Sequence, residues 1–314
     1  RLAERYKFKA LPKLLRAVNW FSRHERRSML ELLKDWPRPG PDAATSILEL
    51  LDEAFHEPEV REFATLGLNA LSDQVLASCL PQLVQAIKYE PYHSSNLARF
   101  LIRRALLSPL LIGLPFFWCC KVELRGAHCS ERYGILIMCY LKFCGPVQRA
   151  LVDQQAHLWS ETGAFAAVAA AVYACKGQGK KKYVTVLREH LTTLQRSLPA
   201  EFSLPIDPRI ICRGVKVEKC RVMSSAKLPL WLVFENADLL GEDIMVMFKA
   251  GDDLRQDTMV LQLIRNMDAM WYVFLFVWVG VLFSFRVLCD ACGSFALVLA
   301  AQFLLLTHLS LFFL

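Results

Sequence analysis

The sequence predicts an α-helical repeat of stacked helical pairs, an α-solenoid, followed by a partial α+β unit and an apolar C-terminal tail. Three observations carry that prediction. Between residues 11 and 107 apolar side chains recur at three- and four-residue steps, in short segments joined by short connectors. After Leu198 the prolines at 199, 205 and 208 break helices, and short β-type runs take over. From residue 270 onward 35 of 45 residues are hydrophobic, and Arg286 and Asp290 are the only formal charges.

Composition narrows the functional classes. A chain of 314 residues with 54% hydrophobic content is too apolar for a disordered segment and large enough for two domains. Arg286 and Asp290 cancel, so the whole +7 lies in residues 1–269. That balance fits an anionic partner, such as a phosphate ligand or the cytoplasmic leaflet, and no nucleic-acid-binding motif accompanies it. The eleven cysteines show no zinc spacing; Cys289 and Cys292 form the one C-x-x-C, inside the tail. They read as small core residues in a reducing cytosol. The seven histidines lie far apart and read as structural or exposed, so no metal site is expected. Arg1–Lys9 is charged and lacks the apolar run of a secretory signal, and the absent initial methionine suggests a piece of a longer protein.

The elements follow in order. Trp36-Pro37-Arg38-Pro39-Gly40-Pro41 is a rigid connector. Ile47, Leu48, Leu50, Leu51, Ala54 and Phe55 form one apolar stripe, and Val60, Phe63, Ala64, Gly67, Leu68 and Leu71 the next. Ser72 and Asp73 cap a helix whose stripe runs through Leu76, Leu80, Leu83, Val84 and Ile87 to Glu90–Pro91. Leu97, Phe100, Leu101, Ala105 and Leu106 form another, ended by Ser108–Pro109. Residues 130–198 stay helical, with alanine-rich 164–174 the clearest case, interrupted by the basic loop Lys176-Gly177-Gln178-Gly179-Lys180-Lys181-Lys182. That loop reads as a solvated connector, with contact to anionic lipid as the alternative. The β-type runs are Val215–Val222, Leu230–Glu235 and Ile244–Phe248, and a helical stripe returns at Met259, Leu261, Leu263, Ile264 and Met267. Strand, small-residue turn, strand, strand and helix is the order of a protein-kinase-like N-lobe. The expected organisation is a helical domain at 10–160, connecting helices at 161–198, an incomplete lobe at 199–271 and the tail at 272–314.

Several motifs resemble the phosphoinositide 3-kinases. Leu80-Pro81-Gln82-Leu83-Val84-Gln85-Ala86-Ile87-Lys88-Tyr89-Glu90-Pro91-Tyr92 resembles the signature of that family's helical accessory domain, and Asp35-Trp36-Pro37, Leu48–Asp52 and Val60–Ala64 fit it in order. Cys220–Leu232 resembles its phosphate-binding loop, and Phe248–Asp257 its lysine strand and the following helix. Met223–Trp231 is closer to the class I enzymes, while Asn236-Ala237-Asp238 and Gly241-Glu242-Asp243 lean to class II, so the class stays open. The resemblance implies ATP as phosphate donor, a phosphoinositide lipid as acceptor and a cytoplasmic protein recruited to membranes. It also implies a regulatory subunit or further domains docking on the helical region.

Phosphoryl transfer is mostly positioning and charge neutralisation, so such a site needs fixed cations and backbone donors around the nucleotide phosphates. Ser224, Ser225 and Ala226 are small enough for backbone N–H groups to approach a phosphate, and Lys227 adds a cation at the same turn. By the resemblance Lys249 reaches the α/β-phosphate, Asp257 orients it and Trp231 packs at the adenine side. Each has a plainer reading: Lys249 as a snorkelling surface lysine, Asp252–Asp253 as a helix start, Trp231 as core. No D-R-H-x-x-N loop and no D-F-G occur in the chain, so catalytic residues and magnesium ligands are expected to be missing and the chain by itself inactive. Whether such a half-lobe binds nucleotide at all stays open, and the expectation is that none is measurable. The tail stretches, 270–288 and 295–314, leave two readings. They form a membrane-spanning hairpin that anchors a non-catalytic helical scaffold, or they are translated non-coding sequence at an exon edge.

Overall fold

The computed structural model describes residues 2–37, 44–126, 128–268 and 270–271. Two compact units divide it, Arg1–Gly251 and Asp252–Leu314. The tail at 272–314 and part of the proline-rich connector lie outside the described residues.

Twelve described helices make up most of the first unit: α1 (Leu2–Ala17), α2 (Arg23–Lys34), α3 (Ala44–Leu50), α4 (Pro58–Gly67), α5 (Asp73–Ser78), α6 (Leu80–Ala86), α7 (Asn96–Leu107), α8 (Leu114–Glu123), α9 (Ser130–Phe143), α10 (Gly145–Trp159), α11 (Ala164–Ala174) and α12 (Lys180–Gln195). The starts follow local capping chemistry: the Oγ atoms of Ser22, Ser72 and Ser95 accept the amides of Glu25, Val75 and Ala98. The single helix expected from Ser72 to Glu90 is instead two, α5 and α6, meeting at Cys79. Pro81 has no N–H to give the carbonyl of Ala77 and its ring crowds that turn, so the ladder cannot run through. The predicted apolar stripes of these helices form one core, with Ile47, Leu50, Val60, Leu68, Leu76, Leu83, Leu97 and Leu101 all fully or almost fully buried.

Short helices leave many carbonyls without intrahelical partners. The end of α6 shows how they are satisfied. Tyr133 Oη donates to Val84 O at 2.7 Å, and Arg132 Nη1 to both Ile87 O and Glu90 O at 2.6 Å. Arg61, on α4 and only 2% exposed, gives Ala86 O an Nη2 bond of 2.9 Å. Its Nη1 reaches Leu51 O, Asp52 O and Phe55 O at 3.1 Å, and its Nε donates to Glu90 Oε1 at 2.6 Å.

The sheet begins with β1 (Phe202–Ser203) and β2 (Ile211–Val215), followed by β3 (Arg221–Val222), β4 (Leu230–Asn236) and β5 (Ile244–Phe248). All pairings are antiparallel, and β4 is the hub, with β5 along one side and β2 and β3 sharing the other. The run Val215–Val222 is therefore not one strand. Val215 ends β2, a 3-10 turn occupies Val217–Lys219, and Arg221 opens β3. Lys216 and Lys219 both bind the Asp243 carboxylate, the latter at 2.6 Å, and hold that carboxyl below the usual range. This three-residue cluster ties the turn to the start of β5.

A second core joins α11 and α12 to the inner face of this sheet, so the helices that read as connectors are packed as part of the sheet's own layer. Trp159 sits at its centre, stacked on Phe165 at 4.4 Å and near the rings of Phe202, Phe234 and Phe248. Its Nε1 donates to Ser203 O at 3.3 Å, while fully buried Gln155 links Trp118 Nε1 to Ser203 Oγ. In the second unit residues 255–268 form a helix, here α13, on which Met259, Leu261, Leu263, Ile264 and Met267 are exposed.

Replacing Arg61 by Met strands a buried carboxylate and several carbonyls at once, and is expected to cost about 3–5 kcal/mol of stability in urea denaturation. Arg61→Lys should recover little, because a point-like ammonium cannot match the fork. A loss below about 1 kcal/mol would show that the pair is replaceable by water.

Burial pushes Cys79 up to about 11 and Cys119 and Cys212 up to about 12, against about 9 for an open thiol. The folded state thus keeps protons that the unfolded chain releases. Stability should be level below pH 9 and fall as pH rises toward 12, read as a drop in the urea midpoint between pH 8 and pH 10.5.

Candidate functional site: a phosphate-binding turn beside an exposed sheet face

β3 and β4 form a hairpin in which Arg221 pairs with Trp231 and Val222 with Leu230. Met223 N donates to Pro229 O at 2.8 Å and closes the loop at 223–229. Inside it Ser225 N bonds Met223 O, Leu228 N bonds Ser225 O, and Lys227 N bonds Ser225 Oγ at 3.3 Å. Ser224, Ser225, Ala226 and Lys227 are all exposed. The amides of Ser224 and Ala226 make no hydrogen bond among the described residues, which leaves two donors at the tip. Leu228 carries a φ of 49°, a left-handed value that a side chain rarely adopts, directly before the buried Pro229. The chain tolerates that strain to bring the loop back into β4.

The outer face of the sheet continues the site. Trp231 is half-buried, with the Arg221 guanidinium 5.1 Å from its ring centroid and Met247 opposite it on β5. Met245 and Met247 are exposed, whereas Val246 is buried and Phe248 lies 6.2 Å from Trp159 in the core. Lys249, half-buried, is the first residue after β5. The sheet therefore sets Trp231 opposite Met247, beside the loop that carries Ser224 to Lys227.

Asp257 belongs to the second unit, where it is exposed on the first turns of α13. Asp253, two residues before that helix, accepts Arg255 N at 3.1 Å and pairs with its guanidinium, as a helix start does. Arg221 and Met247 were not singled out by motif reading. Met247 was legible from the period-two alternation of Ile244–Phe248, but Arg221 needed the strand register. The basic loop is also not simply solvated: Lys176 Nζ donates to Ala226 O at 2.9 Å. Among the described residues no group of three or more His, Cys, Asp or Glu is placed to hold a metal ion.

A turn with two open amides, an aromatic ring beside it and a half-buried lysine just past β5 are groups that suit a nucleotide: backbone donors and cations for the phosphates, a ring for the base. Comparison with known proteins places the chain in a family without testing this site. The family model for the phosphoinositide 3-kinase accessory domain (PIK domain) matches residues 2–152. Phosphatidylinositol 3-kinase 2 of Dictyostelium discoideum is 42% identical over 263 residues, 84% of this chain and 14% of the relative. Phosphatidylinositol 3-kinase 1 of the same organism is 40% identical over 83% of this chain and 16% of its own length. The human phosphatidylinositol 4-phosphate 3-kinase C2 domain-containing subunit beta is 38% identical over 76% of this chain and 14% of its own. The chain thus spans 14–16% of the length of these curated relatives. With its accessory-domain match, its shared motifs and this extent of identity, the chain belongs to the phosphoinositide 3-kinase family.

Proposed function

We propose that residues 199–271 are the ATP-facing part of a phosphatidylinositol 3-kinase. The protein they serve transfers the γ-phosphoryl group of ATP to the 3-hydroxyl of a phosphoinositide headgroup. The observation that carries this reading is the turn at 223–229, with two unengaged amide donors at its tip and Trp231 beside it. Ser224, Ser225, Ala226 and Lys227 bind the phosphates, Trp231 packs on the adenine, and Lys249 meets the α/β-phosphate. Arg221 holds the indole in place through its guanidinium. The helical array at 10–160 is a rigid platform for a regulatory subunit or neighbouring domains, in a cytoplasmic protein that works at a membrane surface.

Magnesium in such enzymes supplies counter-charge to the transferring phosphoryl group. The described residues do not form a ligand set for it, and none is assigned to it. D-R-H-x-x-N and D-F-G occur nowhere in the 314 residues, so no phosphoryl transfer is expected of this chain by itself. No helix among the described residues is long and apolar enough to cross a membrane, and the tail on which an anchored scaffold would depend lies outside them.

An ATP acyl-phosphate, which acylates lysines beside bound nucleotide, tests the assignment. Peptide mapping should find the label on Lys227 and Lys249, suppressed by excess ATP. Trp231→Ala should lower the labelling about tenfold at sub-saturating probe, from the lost base stacking. Label that ignores ATP, or that is spread over surface lysines, would count against the site.

A further inference from the structure

We propose that Lys176 is a positioning residue for the phosphate-binding turn. The proposal rests on the reading of 223–229 as that turn, and it names a residue fifty positions away, outside the stretches quoted above as resembling the family. Lys176 Nζ donates to Ala226 O at 2.9 Å and lies 5.0 Å from the Tyr173 ring centroid, with Tyr173 Oη 3.4 Å away. Its backbone is fixed on both sides: Lys176 N bonds Tyr173 O, Gly177 N bonds Tyr183 Oη at 2.8 Å, and Gln178 N bonds Cys175 O. Gly177 and Gly179 both have a φ of 93°, a conformation that side chains resist, so this connector is shaped around its glycines. The lysine is thus presented to the turn by a braced loop between α11 and α12.

The chemistry gives that contact a purpose. A turn that cradles phosphate has to present N–H groups to the anion and keep its carbonyl oxygens away from it. Ala226 is the tip residue whose amide stands unengaged, and its own carbonyl is taken by an ammonium from outside the hairpin. With that oxygen engaged, the peptide planes on either side of Ala226 are held in one orientation. Without it, rotation of the 226–227 peptide turns an oxygen, and its repulsion, into the phosphate space. The ammonium also adds a positive charge beside Lys227. Its contribution should therefore appear with phosphate-bearing ligands and vanish with the nucleoside alone.

The test is a ¹⁵N NMR titration of the full chain with ATP, inorganic tripolyphosphate and adenosine, each to millimolar concentration. The unmodified chain is compared with Lys176→Met, which keeps the stem over Tyr173, and with Lys176→Arg, which keeps the donor and the charge. In the unmodified chain, Ser224–Lys227 amides should shift with ATP and tripolyphosphate. Lys176→Met is expected to weaken both about fivefold to tenfold, the scale of one charge-assisted hydrogen bond, while Lys176→Arg stays within about twofold. Adenosine should bind all three alike. Loop shifts in the unmodified chain with equal midpoints in Lys176→Met overturn the role of Lys176 and leave the phosphate reading standing. Equal weakening for adenosine marks a general structural lesion and overturns it too. No loop shift with either phosphate ligand overturns the phosphate reading, and the proposal falls with it.

Discussion

The Arg61–Glu90 pair is the constraint on which the helical half depends. Its helices are short: α3, α5 and α6 have only six or seven residues. Elements of that length have few internal hydrogen bonds and many unpaired end groups, so propensity alone would not hold them. A planar guanidinium with five donors can serve several carbonyls and a carboxylate together, which no other side chain does. From α4 it reaches the chain after α3, the end of α6 and Glu90, with Arg132 and Tyr133 of α9 completing the end of α6. Burying that charge is tolerable because almost every donor has a partner. The apolar residues around it supply the driving force, and the fork sets the one arrangement in which they meet.

A comparable economy joins the helices to the sheet. Gln155 is buried with both ends of its amide used, one by Trp118 and one by Ser203, and Trp159 spans the aromatic cluster beneath β4 and β5. The strands that carry the candidate site thus rest on α10 and α11, and their outer face is left to Trp231, Met245 and Met247. Inner side chains fix the register that lines up Arg221, Trp231 and Met247 across three strands. The geometry of the site is therefore a consequence of packing on the opposite face.

Charge follows the same logic. Not every lysine near the sheet is open to a partner: Lys216 and Lys219 are engaged by Asp243, and Lys176 is turned to the Ala226 carbonyl in the turn at 223–229. A net charge of +7 fits an anionic partner without identifying one. Which lysines face that partner depends on which ones the fold engages elsewhere.

The helical character of the first half, its apolar stripes, the caps at Ser72 and the β-type runs were legible in the sequence, because they arise from local periodicity and local hydrogen bonding. So were Ser224–Lys227 as an exposed turn and Met259–Met267 as a helical stripe. Local rules also explain two departures once applied more strictly: Pro81 divides the helix expected at 72–90, and the 3-10 turn at Val217–Lys219 divides the run expected at 215–222. What no local rule could supply is long-range pairing. Arg61 read as one letter in a helical motif, Arg221 as a residue near the end of a β-type run, and Lys176 as part of a solvated basic loop. Their partners lie 29, 10 and 50 positions away at Glu90, Trp231 and Ala226, distances that only the packed chain closes. The sequence by itself determined which segments are helix or strand and which residue types stand ready for phosphate. Tertiary structure alone decided which charges meet, because burial and strand register, unlike periodicity, are properties of the whole chain.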